Sequence, residues 1–332
     1  MKAVAAILLS AVLLVTGCST EEPVDEGKGD LLVSNRGGGS IAHFKHASKA
    51  EGAILPQTWI RGANTFLSQP GQIAYDTGSK RLIVPNGGDS SILFFEDALN
   101  ASEGVPPRRR LMGLGTQLSR PVSVQLDSAR DQLYVANGGS NSVVVFGGAG
   151  TIDGATAPLR TLSGSSTKIT AISAIWLDSA NDRLWVADPV AGALLVFNGA
   201  STLNGNVPPN RYINGSNTKL VSPQSLLFIN KQLFVGCTSS IVRFDDSDSI
   251  DGNTAPTALI QGTSTGLSRP QQMALRPDKD ELYVADAGAA AVFVFDTPET
   301  VNGGPAPLRK IQGAQTGFAD PVGLALDFTT SQ

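Results

Sequence analysis

Repetition constrains this chain more than any other feature. The segment Leu-x-Val-x-(Asn/Asp) reads LLVSN at 31–35, LIVPN at 82–86, LYVAN at 133–137, LWVAD at 184–188 and LYVAD at 282–286, with LFVGC at 233–237 as its variant. Successive starts lie 51, 51, 51, 49 and 49 residues apart. A few positions on, each unit ends an apolar run in phenylalanine: Phe44, Phe95, Phe146, Phe197, Phe244 and Phe295. Later in each unit comes Gly-x-x-Thr, at Gly62/Thr65, Gly113/Thr116, Gly164/Thr167, Gly215/Thr218, Gly262/Thr265 and Gly313/Thr316. Short runs rich in β-branched and aromatic residues, bounded by Gly, Pro, Asn and Asp, are strands rather than helices. Four such strands at a period near 50 describe a propeller blade. The sequence therefore predicts an all-β, six-bladed β-propeller with four-stranded blades.

The chain ends indicate how the ring closes. First strands begin at Pro70, Pro121, Pro223, Pro270 and Pro321, with Ile172 taking this place in the fourth unit. The first recognisable piece is a second strand at Leu31 and the last is a first strand, Pro321 to Asp327. One blade is expected to combine the two ends, removing sheet edges that would otherwise template aggregation. That makes 31–327 one domain, followed by a tail at 328–332. The fifth unit is irregular. Pro223 to Leu233 is 10 residues where other blades use 12, and Val235 to Ile241 is 6 where others use 8. Two hairpins of blade five are thus each two residues short, which predicts a notched rim.

The N-terminus carries an address. Met1-Lys2 is followed by an apolar run from Ala3 to Val15, too short to span a bilayer and suited to a signal-peptide core. It ends in Val15-Thr16-Gly17-Cys18, which resembles the lipobox of bacterial lipoproteins. The resemblance implies removal of residues 1–17, lipid on Cys18 as the membrane attachment, and a cell-envelope location. Ser19 favours the outer membrane. Residues 18–30, with their Glu, Asp and Gly, read as an acylated cysteine and a solvated tether. Of the two cysteines only Cys237 then remains, so no disulfide is expected. Net charge is −4, from 25 basic and 29 acidic residues, and Arg108-Arg109-Arg110 is the densest basic run. That excludes phosphate-driven nucleic-acid binding.

The string LYVAN-x4-(Ser/Asn)-Val-x-Val-Phe, with its proline-led first strands, resembles the NHL and YVTN families of bacterial propeller repeats over nearly all of 31–327. The resemblance implies recognition of a protein or ligand on one face of the disc, and polar, uncharged groups around the mouth suit a peptide or glycan; the leading reading is a non-catalytic binding module, with no cofactor expected. The alternative is a channel-centred, metal-dependent hydrolase or lyase similar to the six-bladed lactonases. That family pairs an Asp ending a second strand with an Asn near the start of a first strand. Here Asp188 and Asp286 supply the former, while Gly71, Val122, Ser173, Gln224, Gln271 and Val322 occupy the latter place. Calcium needs six or more oxygen ligands on one point, so no metal site is expected.

Candidate ligand-binding residues gather at the expected channel mouth. The second strands end in Asn86, Asn137, Asp188 and Asp286, which could line the mouth or hydrogen-bond the turns they open. The first strands offer Gln72, Ser123, Ser173, Gln224 and Gln272, and the loops before them Arg120 and Arg269. Trp176 stands where other blades carry Ala74, Ala274 and Ala325, so its ring fills core, narrows the channel or stacks a ligand. His43 and His46 lie outside the mouth, and neither a zinc spacing nor a Ser-His-Asp set can be assembled.

Overall fold

A computed structural model describes residues 28–276, 278–296 and 298–329. The signal segment, Cys18, tether residues 18–27 and tail residues 330–332 lie outside the described residues. The described strands form six four-stranded antiparallel sheets arranged as the blades of a propeller. Blade one combines Asp30–Asn35, Ser40–Lys45 and Thr58–Ile60 with Pro321–Asp327 as its innermost strand. Asp30 pairs with Asp327 and Val33 with Leu324 in this joint. The innermost strands of blades two to six are Ala74–Asp76, Pro121–Asp127, Ala174–Asp178, Ser225–Ile229 and Pro270–Arg276.

Middle strands such as Gln132–Asn137 and Ser142–Gly147 are buried along almost their whole length. This accounts for their continuous apolar runs, since both faces of each sheet pack on neighbouring blades. Six apolar clusters result, one for each junction between blades. The junction of blades six and one packs Tyr283 and Val292 against Leu31 and Val33. Ring closure thus rests on side chains as well as on the shared sheet.

The Gly-x-x-Thr motif is a local device. Each glycine sits at φ between +105° and +130°, a region closed to side-chain-bearing residues, and opens a short 3₁₀ turn. Each threonine is buried and donates its hydroxyl to the glycine carbonyl at 2.6–2.8 Å. The same hydroxyl accepts the backbone N–H two residues on. The outer rim has a second device. Gly154, Gly205, Gly252 and Gly303 form parallel bridges with the outermost strand of the preceding blade, and Gly52 does so with blade six. Outer edges that would stand open are thereby paired.

Blade five carries the shortened hairpins. Two residues, Asn230 and Lys231, join Ile229 to its partner Gln232, whereas four residues separate Asp127 from Gln132 and Asp178 from Arg183. On the other face Gly236 pairs with Ile241 across four residues, while the equivalent Ala136 pairs with Val143 across six.

Candidate functional site

At the face where the innermost strands begin, these strands converge on the channel. Gln72 N–H donates to Val122 O at 2.9 Å, and a Cβ on Gly71 would lie 2.3 Å from the same carbonyl. Glycine is needed there because blades two and three approach backbone to backbone. Gln72 Nε2 then reaches across to Gln224 O at 2.8 Å. Gln272 is clamped at both ends of its amide: Oε1 accepts from Ile73 and Leu324 N–H, and Nε2 donates to Ile73 O. Ser173 Oγ donates to Pro223 O at 2.7 Å. Together these bonds tie all six blades to one another around the axis.

The mouth is a pocket of about 200 Å³, below the range of roughly 300–1,000 Å³ usual for small-molecule sites. Of the residues expected there, Gln72, Arg120, Ser173 and Gln224 line it, and Arg36, Gln69 and Gln271 join them. No carboxylate, imidazole or thiol is among its lining residues. Arg36 and Arg269 share one counter-ion, binding Asp320 at 2.7 and 2.8 Å. Arg120 is exposed, and among the described residues its guanidinium faces no carboxylate.

The other expected mouth residues lie elsewhere. Asn86, Asn137, Asp188 and Asp286 are fully buried and act as staples within their blades. Asn86 Oδ1 accepts from Ser68 N–H while Nδ2 donates to Phe66 O, and Asn137 repeats this with Ser119 and Gln117. Asp188 accepts backbone N–H groups from Thr170, Ala171, Val190 and Ala191 and the Thr170 hydroxyl. Asp286 accepts from Ser268, Arg269 and Ala289. With their oxygens so occupied these groups stand apart from the mouth, because the loop before each first strand needs an acceptor for its N–H groups. Ser123 is buried, accepting from Ile175 N–H. Ser123, Gln272 and Arg269 therefore serve the ties between blades and the rim rather than the mouth lining. Trp176 is the middle residue of Ala174–Asp178, four residues beyond Ile172 or roughly 13 Å, and packs against the clusters of blades four to six. Gln271 was within reach of the sequence, since it follows Pro270 as Gln224 follows Pro223. A bulge between Pro270 and Met273 breaks the alternation, and parity alone selects Gln272.

Among the described residues no group of three or more His, Cys, Asp or Glu side chains converges as metal ligands. His43 is buried in blade one between Asp30 Oδ1 at 2.6 Å and Thr58 Oγ1 at 3.1 Å. Cys237 takes the staple position of blade five and is buried. Burial pushes its thiol up to about 12, and burial likewise pushes Tyr283 up to about 12. Native Cys237 is expected to resist a thiol-reactive chromogen at pH 8 and to react after unfolding in guanidinium chloride. Both groups favour the protonated form in the fold. Their contribution to stability is complete below the unfolded values of about 8.5 and 10 and is lost as pH rises through about 12. A melting temperature that stays level from pH 8 to 11 would contradict this.

No family model matches the sequence, and no curated protein matches it. Solved structures share the architecture. A protein of unknown function from Bacteroides caccae is similar with TM-score 0.60 and 10% identity, over 90% of this chain and 99% of that one. A chain of the nidogen/laminin complex gives 0.58 and 14% over 90% and 98%. A functionally unknown protein from Desulfotomaculum acetoxidans gives 0.58 and 11% over 90% and 99%. At these identities the likeness establishes the fold: a six-bladed propeller, an architecture compatible with a binding module.

Proposed function

We propose that this chain is an envelope lipoprotein of the NHL/YVTN propeller kind, anchored through Cys18, whose mouth face binds a carboxylate-bearing peptide segment of a partner. The observation that carries the reading is the mouth itself: the amides of Gln69, Gln72, Gln224 and Gln271 and the Ser173 hydroxyl surround it, and of its two guanidiniums Arg36 is held by Asp320 while Arg120 is exposed. A planar guanidinium presents a fork of donors that matches a carboxylate, and the surrounding amides suit peptide groups. Asp30 and Asp327 lie at the far end of the innermost strand from Pro321, so the described chain enters the disc at the face opposite the mouth. A pocket of about 200 Å³ suits surface recognition better than enclosed chemistry.

The test is fluorescence anisotropy with a labelled glutamate-rich peptide and its glutamine counterpart. Wild-type protein is expected to favour the acidic peptide, and Arg120→Ala to weaken it about tenfold, the scale of a lost charged contact. The preference should shrink as salt is raised. Equal binding of both peptides, or a melting shift on adding calcium at millimolar level, would count against it.

A further inference from the structure

The repeats let each groove between blades be compared with five others. On the face away from the mouth, the groove between blades four and five departs from most of the others at several positions that shape it. Trp176 replaces the alanine of three other blades. Its ring stacks on Phe228 with centroids 5.5 Å apart and planes at 30°, and both rings are half-buried. Phe228 in turn stands where four other blades carry Leu126, Leu177, Leu275 and Leu326 and blade two carries Tyr75. The hairpin that would wall this groove is the shortened one at Asn230-Lys231.

A fourth departure lies beneath. Ser247 stands where blades one to four carry Ala47, Ala98, Ala149 and Ala200. At two of these alanines a tyrosine of the preceding blade donates to the carbonyl, Tyr134 to Ala200 and Tyr283 to Ala47, while Arg109 reaches the Ala149 carbonyl. At blade four the residue is Trp185, and the Ser247 carbonyl is taken by Arg211 Nη1 at 2.7 Å. Trp185 Nε1 is buried and finds no acceptor. The result is a cleft of about 560 Å³, lined by Trp176 and Phe228 with Asp178, Asn181, Asn230 and Lys231 among its polar groups.

Repeats drift independently, so departures scattered around the ring would signify little. Here they meet in one place, and they combine an apolar platform with polar groups around it, the arrangement of a ligand site. Charge at this site is balanced: Asp248 is paired with Arg183 and lies 3.8 Å from Lys231. An ionic ligand therefore gains little. A pyranose ring has an apolar face for the stacked aromatics and a fringe of hydroxyls for amides and carboxylates. We propose that this cleft is a binding site for a neutral glycan, seating a sugar ring on the edge of the Trp176–Phe228 pair.

The experiment uses the mature lipidated protein in detergent, titrated with cellotriose and with the N-acetylglucosamine trimer. Binding is followed by tryptophan fluorescence and saturation-transfer NMR. At least one sugar should give a saturable change at millimolar concentration. Trp176→Ala should weaken it about tenfold or more. Inserting Gly-Ser between Asn230 and Lys231, which restores the hairpin length of the other blades, should weaken it similarly while leaving the melting temperature in place. Arg120→Ala should leave it unchanged, which separates this site from the mouth. If Trp176→Ala fails to fold, the insertion decides. Absence of saturable binding for both sugars up to about 20 mM, or binding that survives the insertion, would overturn the proposal.

Discussion

Deletion of Pro321 onward is expected to abolish cooperative folding. The lost strand is the innermost of blade one, where Val322 and Leu324 are about 1% exposed. Leu324 belongs to the cluster that joins blades six and one. Each buried aliphatic is worth about 1.5–3 kcal/mol, and each ladder hydrogen bond about 0.5–1.5 kcal/mol net. The ladder along Asp30–Asn35 is lost together with the clamp from Gln272 to Leu324. The loss is on the order of 5–12 kcal/mol, comparable with the whole stability of a typical domain. It also leaves Asp30–Asn35 as an open, apolar edge strand prone to association. Circular dichroism of the truncated protein should show no sigmoidal melt. A transition within about 5 °C of the intact protein's would sink the view that the shared blade holds the ring shut.

Asp188→Ala should be the most damaging single side-chain truncation on the mouth side of the disc. The carboxylate is fully buried and accepts four backbone N–H groups and one hydroxyl. Removing it strands those donors in a site that water does not reach, at a cost of roughly 3–5 kcal/mol. Asp188→Asn keeps one oxygen, and Asn35, Asn86 and Asn137 hold the same place in other blades. That variant should lose about 1–2 kcal/mol. Denaturant melts of the two variants measure the difference. Equal losses would mean that the acceptor oxygens are not what the turn requires.

The period, the number of blades and the strand order within each were legible because every unit repeats the same solution to the same packing problem. Position-by-position agreement among Leu31, Leu82, Leu133, Leu184, Leu233 and Leu282 reflects six equivalent burials between blades. The shortened hairpins of blade five could be counted from spacing alone. Mouth residues were harder to read. A staple such as Asn137 and a lining residue such as Gln224 are both polar side chains near strand ends, and local sequence does not say which way each turns. Arg269 and Arg120 occupy equivalent loops, yet one is held by Asp320 and the other is not. The partner comes from a different blade.

What the sequence determined by itself is the repeat: strand, turn and threonine staple are local, specified within about 50 residues. Tertiary structure alone decided which polar groups face solvent at the axis and which lock the blades. Those hydrogen bonds link residues such as Gln272 and Ile73, 199 positions apart. Their pairing exists only once the ring has brought distant strands to a common centre.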